Sequence, residues 1–161
     1  MSALPELIEN YLAGVQTLRK AVAGMSREQA VARPVPGKWS TLEVVCHLAD
    51  FEPIFADRMK RIIAEDRPVL ISADEERFAA TLAYQQRDLD EELAIVANTR
   101  GQLARILRTQ PAEVLSRVGI YKNEGTEEPR TLERLLTVVI NHINHHVKFV
   151  YDKRKALGLP A

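Results

Sequence analysis

The sequence predicts an all-α fold, one bundle of four long amphipathic helices with a crossover connection and short extra helices. Three observations predict it. Apolar residues recur at helical spacing over several turns in four segments. Two capping boxes, Ser26-Arg-Glu-Gln29 and Ser40-Thr-Leu-Glu43, stand directly before helical runs. No stretch reads as a credible sheet, so nothing beyond a short two-stranded ribbon is expected.

Each element has its own justification. Pro5 suits a first helical turn, and Leu7, Tyr11, Leu12, Val15, Leu18 and Val22 carry an apolar stripe, so a helix is expected over residues 5–24, up to Gly24. The box at Ser26 opens a short helix that ends before Pro34, and Pro34-Val-Pro-Gly37 is a loop. The box at Ser40 opens the second long helix, residues 40–66, in which Pro53 should produce a kink. Ser72-Ala-Asp-Glu75 caps a third over residues 73–108, along the stripe Leu89, Leu93, Val96, Leu103, Ile106 and Leu107. Residues 111–130 are the least regular, with Val118-Gly-Ile-Tyr121 briefly extended and Asn123-Glu-Gly-Thr126 a turn. Thr131 starts the last helix, residues 131–157, before Gly158 and Pro160. The long connection ahead of it implies the crossover.

Composition narrows the function. A chain of 161 residues fits one domain, residues 1–161, and at this size about 70% of the unfolded surface is buried without staples. Lys+Arg is 22 and Asp+Glu is 22, so no global field attracts nucleic acid or an anionic membrane. The single cysteine, Cys46, fits a reducing compartment, and MSALPELIEN lacks the marks of a signal peptide. The longest uncharged run, residues 135–147, contains Asn and His and is too short and polar to span a bilayer. A cytoplasmic location without nucleic-acid or membrane partners is expected.

The chemistry lies in the four histidines. With His142 at about 0° on a helical wheel, His146 falls near 40° and His145 near −60°, while Leu135, Val139, Ile143, Phe149 and Val150 span about −20° to 100°. His142 and His146 therefore lie inside the buried stripe, and His145 at its edge. On the second long helix His47 shares a face with Val44, Phe51, Ile54, Phe55 and Ile62, while Cys46 points away. Histidines at i and i+4, with a third from a facing helix, make a three-ligand metal site with a fourth position open for water or substrate. The alternative is a set of satisfied core histidines. Three inward histidines, two of them paired at i and i+4, favour the metal.

The segments Gly37-Lys-Trp-Ser-Thr-Leu-Glu-Val-Val-Cys-His47-Leu-Ala-Asp50, His142-Ile-Asn-His-His146 and Lys153-Arg-Lys-Ala-Leu-Gly-Leu159 resemble the DinB/YfiT-like superfamily of metal-binding four-helix bundles. The resemblance implies a DinB-like bundle over essentially the whole chain. It also implies a divalent-metal triad of His47, His142 and His146, and a homodimer. Zinc and nickel lead the candidate ions, since imidazole suits several. Similar proteins include transferases that use a low-molecular-weight thiol and metal-dependent hydrolases. Three readings follow: a metal-dependent transferase acting with a small thiol on a small-molecule substrate, a metal-dependent hydrolase using activated water, and a non-catalytic metal-binding bundle.

The remaining candidates are secondary. Glu43, Asp50 and His145 are candidate outer partners of the triad, Glu43 and Asp50 through the second nitrogen of His47. For Glu43 and Asp50, a capping box and a solvated flank are equally good readings. Cys46 is a small packing residue, and Trp39 caps the end of the core. Lys148, Lys153, Arg154 and Lys155 favour the negative end of the last helix rather than bind phosphate. Tyr84 and Tyr121 are candidates for a pocket mouth.

Overall fold

Helix starts follow the capping chemistry. In the computed structural model, which describes residues 3–123 and 125–160, α1 spans Leu4–Val22 with Pro5 in its first turn. Ser26 caps the short α2, Arg27–Val31, and Ser40 caps α3, Thr41–Ala64; both capping boxes form in full. Asp88 accepts N–H bonds from Asp90 and Glu91 to start α5, Leu89–Leu107. Thr131 caps α6, Leu132–Ala156. Helix α3 continues through Pro53, whose ring is exposed. Pro53 has no N–H to donate to the Ala49 carbonyl, and the helix runs on through this single lost bond.

Helices α1, α3, α5 and α6 form a four-helix bundle. The main packing pairs are α3 with α5, α1 with α6, α1 with α5, and α3 with α6. Helices α1 and α3 are thus diagonal, as are α5 and α6. The α5–α6 connection is the expected crossover, and the α1–α3 connection makes a second. None of the helices described is long and apolar enough to cross a membrane.

Two expectations need correction. The helix expected over residues 73–108 is three pieces: α4 at Glu75–Thr81, a 3₁₀ turn at Tyr84–Gln86, and α5. Asp74, rather than Ser72, caps α4, accepting from Arg77 N–H at 3.0 Å. Asp74 and Asp88 each draw N–H groups into a fresh helix start, and Ala83 between them has φ +52°. The apolar stripe read from the sequence belonged to α5 alone.

The second correction is a three-stranded sheet, larger than the ribbon expected. Strand β1 (Val69–Ile71) pairs parallel with β2 (Val118–Asn123), which pairs antiparallel with β3 (Thr126–Thr131). Its register sets Val69 opposite Ile120, far apart in sequence. Strand β3 is largely exposed and contains Pro129, which an edge strand tolerates. The expected turn at Asn123–Thr126 is bounded by the pair Asn123–Thr126; Glu124 within it lies outside the described residues.

The core has two main clusters. One gathers Tyr11, Met59, Leu103, Leu136 and Val139; the other gathers Leu18, Val45, Leu48, Val96, Ile143 and Val150. A buried polar group joins α1, α3, α5 and α6. Arg100 pairs with Glu52, and its guanidinium also donates to Tyr11 O at 2.6 Å and Val139 O at 2.9 Å. Residues 41–49 of α3 are buried on every side, since α2 and the 3₁₀ turn at 84–86 cover the face away from the bundle. Cys46, expected to point away, is therefore buried against Ala30, Leu42 and Tyr84.

Candidate metal centre

Helices α3 and α6 bring His47, His142 and His146 together. One ring nitrogen from each lies within 4.8 Å of the others, and Nε2 of His47 faces Nε2 of His142 at 3.0 Å. The ring centroids are 4.7 to 5.0 Å apart. Ligands about 2.0–2.1 Å from a tetrahedral ion stand roughly 3.4 Å apart, so these spacings bracket the requirement. His47 is fully buried, while His142 and His146 are partly buried.

Burial keeps these rings neutral, as metal ligation requires. It lowers His47 to about 4 and, with help from neighbouring histidines, lowers His142 and His146 to about 3. Aromatic rings line the centre: Phe51 lies 4.7 Å and Trp39 5.4 Å from His47, and Phe55 lies 5.7 Å from His142. Three neutral nitrogen donors in an apolar setting fit a divalent ion.

The centre borders a cavity of about 720 Å³ whose lining includes His146, Trp39, Phe149, Glu75 and Lys153. Glu75, on the first turn of α4, places Oε2 3.7 Å from His47 Nε2. Nothing local in the sequence signalled this carboxylate. Its position depends on how α4 folds over α3.

The outer partners proposed from sequence lie elsewhere. Glu43 completes the capping box, accepting from Ser40 N–H at 2.6 Å, and pairs with Arg33. Burial alone would raise its pKa, but these bonds outweigh it and hold the carboxyl below its ordinary range. Asp50 pairs with Arg87 at 2.7 Å. The Nδ1 atoms of His47, His142 and His146 have no hydrogen-bond partner among the described residues. Neither acid orients His47, and the capping reading of Glu43 is the correct one. His145 is exposed and outside the cluster, its ring edge-on to His146 at 5.2 Å.

Other sequence readings also change. Trp39 packs on the core as expected, but it also lines the cavity. Phe149, expected in the buried stripe, is 37% exposed and lines the cavity too. Tyr84 is buried, and Tyr121 lies between the guanidinium groups of Arg58 and Arg130; neither lines the cavity. Cys46 is the packing residue expected, its thiol pushed up to about 12 chiefly by burial. Lys153 and Arg154, expected at the negative end of the last helix, stand in its last turn and are buried.

A four-helix bundle with three neutral histidines converging beside an open cavity defines a class, the helical proteins with a candidate mononuclear metal centre. The chain belongs to the DinB superfamily, whose family model matches residues 11–150. It is 28% identical over 141 residues to YfiT of Bacillus subtilis, covering 88% of this chain and 78% of that protein. It is 26% identical over 157 residues to a protein of Geobacillus thermodenitrificans, covering 95% and 87%. Both relatives are provisionally named metal-dependent hydrolases. The solved structure of Bacillus subtilis YfiT, described as a probable metal-dependent hydrolase with an unusual four-helix bundle topology, is similar in fold. Its TM-score is 0.87 at 24% identity, covering 98% of this chain and 89% of that one.

Proposed function

We propose that His47, His142 and His146 hold one divalent metal ion, zinc or nickel, and that the protein is a metal-dependent hydrolase of a small organic substrate. The observation that carries this reading is the Glu75 carboxylate, 3.7 Å from His47 Nε2 at the edge of the cavity. A bound divalent ion would supply Lewis acidity and lower the pKa of water. Glu75 Oε2 is placed to accept a proton from a water molecule at the open side of the triad. Trp39 and Phe149 hold the apolar part of a substrate, and Phe51 and Phe55 keep bulk water from the histidines. The relatives' names support the same reading.

A small-thiol transferase is the second reading, which the family resemblance supports. The cavity of about 720 Å³ has the size of ordinary small-molecule sites and admits a thiol. The family resemblance also supports a homodimer, which light scattering checks.

The test begins with metal analysis of freshly purified protein. His142→Ala is expected to lose the metal and the turnover of esters or amides together. Turnover only when a thiol is added with an electrophile selects the transferase. A metal-loaded protein that binds no thiol and turns over neither class is a non-catalytic bundle, and His142→Ala would then lose the metal and lower the melting temperature.

A further inference from the structure

Lys153 differs from the other lysines of α6. It is 2% exposed, while Lys148 and Lys155 lie in solvent. Its Nζ donates to Phe149 O at 3.0 Å and forms no ion pair among the described residues. Asp152 and Glu43 lie near enough to favour its charge, but burial outweighs them and neither carboxylate bonds Nζ. Glu43 is bound to Arg33 and Ser40, and Asp152 is exposed. Arg154, also buried, places its guanidinium on the carbonyls of Ala21, Ala23 and Pro160. A buried ammonium with unfilled donors is costly unless something anionic meets it. Burial accordingly pushes the Lys153 pKa down.

Lys153 also lines the cavity that borders the triad. His146, Phe149 and Lys153 stand at i, i+3 and i+7 on one face of α6. Lys153 is therefore about 10.5 Å beyond His146 along the helix axis. The Phe149 ring lies between them, 6.0 Å from the His146 ring and 5.9 Å from Lys153 Nζ. Lys38, exposed, is a second cation of the lining without an ion pair among the described residues, while Arg33, also in the lining, is paired with Glu43. Glu75 and Glu76 come from α4, with Glu75 at the histidine end.

We propose that Lys153, with Lys38, forms an anion subsite that takes the carboxylate of the substrate. The substrate class is an anionic amphiphile. Its acid group meets Lys153, its apolar or aromatic body lies along Phe149 and Trp39, and its reacting group reaches the histidines farther back along α6. The last part rests on the hydrolase reading; the subsite itself does not.

Trp39 is the only tryptophan, so its fluorescence reports occupancy of the cavity. The experiment titrates metal-free protein with 4-phenylbutyrate and with its neutral amide. The acid is expected to bind about tenfold tighter than the amide, as a charge-assisted hydrogen bond provides. Lys153→Met should remove that preference while retaining amide binding, and Lys148→Met should keep it. Equal binding of acid and amide by the wild type overturns the proposal. So does a preference that survives in Lys153→Met, or no Trp39 response to either probe at millimolar concentration. The wild-type comparison stands even if Lys153→Met fails to fold. A preference in metal-free protein whose metal-loaded form hydrolyses nothing would sink the hydrolase reading and leave the subsite in place.

Discussion

Gly14 shows how one residue supports the interior that carries the site. A Cβ there would lie 2.3 Å from Nη1 of Arg100, whose side chain is fully buried. Arg100 cannot swing away without losing Glu52 and the carbonyls of Tyr11 and Val139. Burying a charge without its partner costs several kcal/mol, far more than the small helix-propensity gain from alanine. Gly14→Ala is therefore expected to lower stability by about 2–4 kcal/mol in urea unfolding. A change near zero would mean that Arg100 has a second well-bonded position.

The sheet ties the long connection to the bundle, and Gly119 lets it approach. A Cβ on Gly119 would lie 2.8 Å from Cδ1 of Leu70 on β1 and 3.0 Å from Cγ1 of Ile62 on α3. Both neighbours are buried and have little freedom to move. Gly119→Ala is expected to cost about 1–3 kcal/mol by overpacking, read as a lowered thermal midpoint. Because β1 precedes α4, loosening this contact should also raise the amide exchange of α4 and disturb Glu75. Unchanged exchange in α4 would show that the two are uncoupled.

At the scale of the whole molecule the three neutral histidines contribute a pH dependence, which Glu52 and Glu92, both pushed up by burial, oppose in part. In the metal-free protein their folded pKa values, about 4 for His47 and about 3 for His142 and His146, lie below the ordinary 6.5. Between those values the unfolded chain binds more protons, so stability rises with pH. The full contribution is present above pH 6.5 and is lost as the pH falls toward 4 and then 3. Glu43, held below its ordinary 4.5, loses its share only at more acid pH. The urea midpoint should therefore be lower at about pH 5 than at about pH 7.5. A flat profile would mean that the rings charge without penalty.

The sequence alone determined the apolar stripes of the four bundle helices and the inward faces of His47, His142 and His146, because both depend on local periodicity; that His47 meets the other two depends on α3 packing against α6. Capping at Ser40 and Thr131 and an apolar stripe on each helix orient His47, His142 and His146 inward whatever the rest of the chain does. It did not determine the surroundings of the histidines. Glu43 and Asp50 sit on the same side of α3 as His47, yet Arg33 and Arg87 from other segments take them. The parallel pairing of β1 with β2 and the break between α4 and α5 likewise depend on distant partners. Glu75 reaches the triad only once α4 packs on α3, and that Lys153 pairs with no carboxylate among the described residues is likewise a result of the tertiary fold. Helical periodicity is a property of neighbours in sequence. Which charge meets which, and which is left unmet, is decided by segments that only the folded chain brings together.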